Sequence, residues 1–126
     1  MGLLLDTNAA IAFLNGDTII ASKIDRSVSL ISVIVMGELL FGALNSSRVT
    51  ENVKRVMDFV ANADILFVDT HTSRLFGEIK ASLQKKGRLI PDNDIWIAAT
   101  SLQHGLELVT RDGHFQQVEN LRCIGW

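Results

Sequence analysis

Short apolar runs alternate with stretches of helical periodicity along this chain, and that alternation constrains its fold more than any other feature. Leu3-Leu4-Leu5 is apolar at every position and stops abruptly at Asp6. A strand with one wet face alternates apolar and polar residues. A run apolar throughout predicts a strand buried on both faces, as in parallel sheets. Val28 to Ile31, Ile65 to Val68 and Leu108-Val109-Thr110 read the same way, and Arg122 to Ile124 is a candidate fifth strand. Between them, Thr7 is expected to cap a helix through Leu14 that ends at Asn15-Gly16, and about Thr18 to Arg26 reads as a second short helix. Ser32 is a candidate cap for a helix to about Leu44, and Val49, Val53, Val56, Met57 and Val60 recur at helical spacing between Arg48 and Ala61. Asp69 can cap a helix that places Leu75, Ile79 and Leu83 on one face, with Lys85 and Lys86 in its last turn and Gly87 as its stop. Pro91-Asp92-Asn93 opens a last helix that Gly105 closes. Strands alternating with helices predict an α/β domain with a mainly parallel sheet, and such sheets build their sites beyond the carboxyl ends of the strands.

The 126 residues fit one domain spanning 1–126, and at 48% hydrophobic they suffice for a buried core, which excludes a disordered chain. A net charge of −2 gives no overall attraction to nucleic acid, so any such affinity must come from local patterning. The single cysteine, Cys123, excludes a disulfide framework and a multi-cysteine metal site, and reads as a small buried hydrophobe. The N-terminal apolar run is too short for a signal peptide, and the apolar stretch around Ser32 that ends at Glu38 is too short to span a bilayer. A cytoplasmic protein is expected, with no membrane partner.

Three carboxylates stand where a structural role is hard to find. Asp6 directly follows three leucines, Glu38 sits within Val33-Ile34-Val35-Met36-Gly37-Glu38-Leu39-Leu40-Phe41, and Asp94 immediately precedes Ile95-Trp96-Ile97-Ala98-Ala99. Burying an unpaired carboxylate costs on the order of several kcal/mol. Asp112, just past the strand that ends at Thr110, is a fourth candidate. The expected topology gathers all four at one sheet edge: Asp6 and Asp112 follow strands, Asp94 opens a helix, and Glu38 lies less than two turns into another. Converging acids without cations repel, and Mg²⁺ or Mn²⁺, hard ions that take oxygen ligands, relieve that repulsion. Such a centre suits phosphodiester hydrolysis, because the ion lowers the pKa of a bound water and neutralises developing charge. Simpler roles compete for each residue: Asp6 or Asp94 as a helix cap, Glu38 as a surface charge, Asp112 as a turn residue, and Asp92 as a rival to Asp94.

Arg74, Lys80, Lys85, Lys86 and Arg88 share a stretch whose one acid is Glu78. Lying just before the Pro91 turn, Lys85, Lys86 and Arg88 could flank the acids and hold RNA phosphates, as could Arg111 beside Asp112; a solvated helix end is the plainer reading of the basic run. His71, His104 and His114 show no metal-ligand spacing and are not read as catalytic, and Trp96 and Phe115 read as packing residues.

Four blocks together resemble the PIN-domain family, in particular the VapC-like toxins of bacterial toxin–antitoxin pairs. They are Leu4-Leu5-Asp6-Thr7-Asn8; Ser32 through Glu38-Leu39 to Gly42; Asn93-Asp94-Ile95-Trp96-Ile97-Ala98-Ala99-Thr100; and Leu108-Val109-Thr110-Arg111-Asp112 followed by Phe115, with Leu121 to Trp126 resembling the usual ending. The resemblance spans essentially the whole chain. It implies a three-layer αβα fold and a metal-dependent ribonuclease acting on single-stranded or looped RNA. The family's acids fall on Asp6, Glu38, Asp94 and Asp112; Asp6 and Asp94 are the expected metal ligands, with Glu38 and Asp112 completing the pocket. Thr7, Asn8 and Thr110 match supporting polar positions. The resemblance further implies a cognate antitoxin as partner, and a homodimer.

The expected function is therefore a Mg²⁺- or Mn²⁺-dependent endoribonuclease. A non-catalytic module of the same fold is one rival, and four retained acids count against it. A phosphoacceptor signalling domain is another, but it wants an acidic pair at the first strand and a lysine after a late one, where this chain has Asp6 alone and Arg111. With the four acids set aside as a metal-neutralised cluster, ten of the 14 acidic residues remain against 12 basic ones, a slightly basic body around an acidic pocket.

Overall fold

A computed structural model describes residues 2–24 and 29–126. Five parallel strands form its sheet in the order β3-β2-β1-β4-β5: β1 is Leu3–Leu5, β2 Ser29–Ser32, β3 Asp64–Leu66, β4 Glu107–Val109 and β5 Cys123–Ile124. Six α-helices lie among the described residues: α1 Thr7–Leu14, α2 Thr18–Lys23, α3 Val33–Leu44, α4 Val49–Ala61, α5 Thr70–Lys85 and α6 Asp92–His104. A 3₁₀ helix, Gly113–Gln117, follows β4. The expected second helix and second strand reach Arg26 and Val28, which lie outside the described residues.

Strand order sorts the helices into layers. The chain steps from β1 to β2 to β3 in one direction, so right-handed crossovers put α1 to α4 on one face. It then crosses back to β4, which sends α5 and α6 to the other face, where they pack on each other. The result is the expected three-layer αβα arrangement. The central strands are apolar throughout because both faces are covered: Leu4, Leu5, Leu108 and Val109 are all buried. Ile31, Val35, Ile95, Ile97, Ala98 and Phe115 close the core around them. Phe115 is fully buried, and Trp96 stacks on Phe76 with ring centroids 4.0 Å apart, so both pack as expected.

Local chemistry fixes the ends of the elements. Ser32 accepts the Val35 N–H at 3.2 Å and caps α3. Asp69 and Thr72 exchange hydrogen bonds in a capping box that starts α5. Gly87 and Gly105 follow their helices with φ of +67° and +62°, a left-handed conformation that favours glycine. Two expectations are corrected. The cap of α1 is Asp6, whose Oδ1 accepts the Ala9 N–H at 2.8 Å, while Thr7 is the first helical residue. Cys123 is exposed and lies on the two-residue edge strand β5.

Candidate active site

The strand order reverses between β1 and β4: the chain leaves β1 towards β2 and leaves β4 towards β5. Their loops therefore run apart, and the crevice between them is where parallel α/β sheets hold ligands. Asp6 follows β1 and Asp112 lies three residues past β4, so both stand at this crevice. The two strands are tied at their carboxyl ends by the Asp6 N–H donating to the Val109 carbonyl at 3.2 Å.

Asp6 is only 4% exposed. Its Oδ1 accepts from Ala9, and its Oδ2 accepts the Thr110 hydroxyl at 2.5 Å. Burial pushes its carboxyl pKa above the usual value; these two hydrogen bonds oppose the shift, and the charges of Asp112 and Glu38 add to it. Thr110 Oγ1 also accepts the Asp112 N–H at 2.9 Å, so one hydroxyl joins the two acids. Glu38 reaches the pocket from the second turn of α3, and the Thr7 hydroxyl donates to its Oε1 at 2.6 Å. Asp94 is the third residue of α6, where the helix N-terminus favours a carboxylate. Its pKa is nonetheless raised, first by burial and then by repulsion from Asp112 and Glu38, against the pull of His114.

The four acids thus share one electrostatic neighbourhood. Asp92 does not belong to it and pairs with Lys80 at 3.0 Å. Asn8 is exposed on α1 and makes no hydrogen bond to the acids among the described residues. Lys86 pairs with Glu119 at 3.0 Å, Lys85 occupies the last turn of α5, and Arg88 follows Gly87. Arg111 Nε donates to the Trp126 backbone oxygen at 2.8 Å, and the guanidinium lies 4.3 Å from the Trp126 ring centroid. Sequence reasoning missed His114. Its Nδ1 lies 3.4 Å from Asp94 Oδ2 and 3.2 Å from Asp112 Oδ1. Asp94, Asp112 and His114 form a metal-capable grouping, with ligand atoms all within 4.8 Å of one another.

No lysine or arginine pairs with Asp6, Glu38, Asp94 or Asp112 among the described residues. Carboxylates that are partly or wholly buried, mutually repelling and short of counter-charge fit a divalent cation with hard, oxygen-loving chemistry. Beside them, Thr7, Glu38, Gly37, Phe41 and Asn93 line an open cleft of about 480 Å³. A larger recess of about 610 Å³, among Phe13, Leu30, Arg55 and Phe59, is lined by none of the four acids.

Residues 3–121 match the PIN-domain family model. The chain is 35% identical to Ribonuclease VapC2 of Haemophilus influenzae, over 98% of this chain and 96% of that protein. It superposes on the crystal structure of DNA-bound VapBC from Salmonella typhimurium with a TM-score of 0.92 at 28% identity, covering 100% of this chain and 98% of that one. VapBC2 from Rickettsia felis, bound to a DNA fragment from its promoter, gives a TM-score of 0.92 at 25% identity, over 100% of this chain and 99% of that one. The chain belongs to the PIN-domain family. Within that family, it is similar in sequence to proteins named VapC and in structure to chains of VapBC complexes.

Proposed function

We propose that this chain is a Mg²⁺- or Mn²⁺-dependent endoribonuclease, the toxin of a toxin–antitoxin pair. The observation that carries the reading is the convergence of Asp6, Glu38, Asp94 and Asp112 at the β1–β4 crevice with no lysine or arginine paired to them among the described residues. Likeness to a protein named as a ribonuclease supports the reaction class, and likeness to VapBC complexes supports a cognate antitoxin as partner. A homodimer and a cytoplasmic location complete the proposal; no helix among the described residues is long and apolar enough to cross a membrane.

In this reading Asp6, Asp94 and Asp112 hold the ion. When bound, it supplies a water of lowered pKa and positive charge against the scissile phosphate. Ala9 and Thr110 fix the Asp6 carboxylate while leaving each oxygen a lone pair for coordination. Thr7 fixes Glu38, which then orients water beside the phosphate. The cleft past Glu38 and Asn93 would take the RNA strand, and Lys85 and Arg88 would supply positive charge to its backbone.

The test is cleavage of RNA by the purified chain with and without Mg²⁺, with the new ends mapped. Cleavage is expected only with the ion, and Asp6→Asn and Asp94→Asn are each expected to abolish it. Persistent cleavage in chelator, or in both variants, overturns the assignment. Copurification with the product of an adjacent small reading frame tests the antitoxin.

A further inference from the structure

His114 has a side chain whose placement its own element does not require. It is the second residue of the 3₁₀ helix, and its backbone N–H already donates to Asp112 Oδ1 at 2.9 Å, which completes the turn. The imidazole nevertheless sits with Nδ1 3.2 Å from that same Asp112 oxygen and 3.4 Å from Asp94 Oδ2. A hydrogen bond between Nδ1 and Asp94 is within reach, but it is a long one. Charge-assisted N–H···O bonds run about 2.7–2.9 Å, and both separations exceed that. One Nδ1–H shared between two oxygens is weaker to each, and Asp112 Oδ1 also receives the His114 backbone N–H. Metal coordination would use both contacts at once. Ligands on adjacent octahedral positions, each about 2.1 Å from an ion, stand about 3 Å apart.

We infer that His114 is a nitrogen ligand of the carboxylate pocket, and that it shifts the pocket's preference from Mg²⁺ towards a first-row transition ion such as Mn²⁺. The inference rests on the metal-pocket reading above. Mg²⁺ dehydrates reluctantly and takes oxygen ligands, whereas imidazole suits transition metals. Coordination needs the Nδ1 lone pair, which places the ring proton on Nε2, and the side chain is 53% exposed, so water can receive that proton's hydrogen bond. A purely oxygen-lined pocket would not discriminate in this way. The Asp-x-His spacing at Asp112-Gly113-His114 delivers the third ligand within one turn of the second.

The experiment titrates Mn²⁺ and Mg²⁺ separately into the full chain by calorimetry, then examines bound Mn²⁺ by pulsed electron paramagnetic resonance. A nitrogen coupling from a directly bound imidazole is expected in the unmodified protein and should disappear in His114→Asn. That variant should weaken Mn²⁺ about tenfold or more while changing Mg²⁺ by less than about threefold. Unmodified protein labelled with ¹⁵N-histidine decides the point even if the variant fails to fold, because the coupling must then change to that of ¹⁵N. Mn²⁺ bound at unchanged affinity with no nitrogen coupling overturns the role of His114 and leaves the carboxylate pocket standing. Failure of the unmodified protein to bind either ion overturns both.

Discussion

Thr110 shows how much a single hydroxyl can carry. It gives its proton to a buried carboxylate and receives the Asp112 N–H on the same oxygen, so its removal strands a donor and an acceptor together. Thr110→Val keeps the shape and loses both bonds. It should cost about 1–3 kcal/mol in denaturant unfolding and lower RNA cleavage about tenfold or more, while Thr110→Ser keeps most of each. The acids themselves were legible in the sequence, because Asp6, Glu38 and Asp94 each interrupt apolar stretches where a charge is costly. The resemblance also marked Thr110 and Thr7 as supporting positions, but their partners emerge only in three dimensions. His114 was passed over because a search for paired histidines cannot find a lone imidazole whose partners are carboxylates, one of them 20 residues away.

At the scale of elements, the apolar runs located every strand to within a few residues, since burial on both faces leaves no other pattern. The edges were harder to place. β3 begins at Asp64 and ends before Phe67, which is 70% exposed, because an outer strand has no second neighbour to hold it extended. Capping chemistry was read correctly at Ser32 and Asp69, whereas at α1 the adjacent Asp6 and Thr7 both suit a cap and only the backbone decides between them. Two glycines of opposite character test the helices. Gly77 is exposed inside α5 with open space where a Cβ would sit, so Gly77→Ala should stabilise the fold by about 0.5–1 kcal/mol and leave cleavage unchanged. Gly105 adopts φ +62° past the end of α6, and Gly105→Ala should destabilise by about 1 kcal/mol. Chemical denaturation of both variants checks the pair.

Across the whole molecule, charge is arranged against stability. The pKa values of Asp6 and Asp94 are raised in the fold above the ordinary 3.8, so the metal-free native state binds protons more tightly than the unfolded chain. Stability therefore falls as pH rises from about 3.8 through the raised values, and the contribution of these two groups is lost once both have ionised. Melting in chelator should show that decline, and added Mn²⁺ should reverse it at neutral pH, because an ion that binds only the folded state adds stability in proportion to its occupancy. A melting temperature that is flat with pH and indifferent to the ion would contradict this account. The Thr110–Asp6 bond joins residues 104 positions apart, and Asp112 lies further along still. A ribosome making this chain releases Asp6 more than a hundred residues before Asp112. The pocket cannot close on a nascent chain, and every product that stops short of residue 112 lacks it. The four acids can meet only after residue 112 has left the ribosome, so whatever chemistry the pocket performs is acquired late in synthesis.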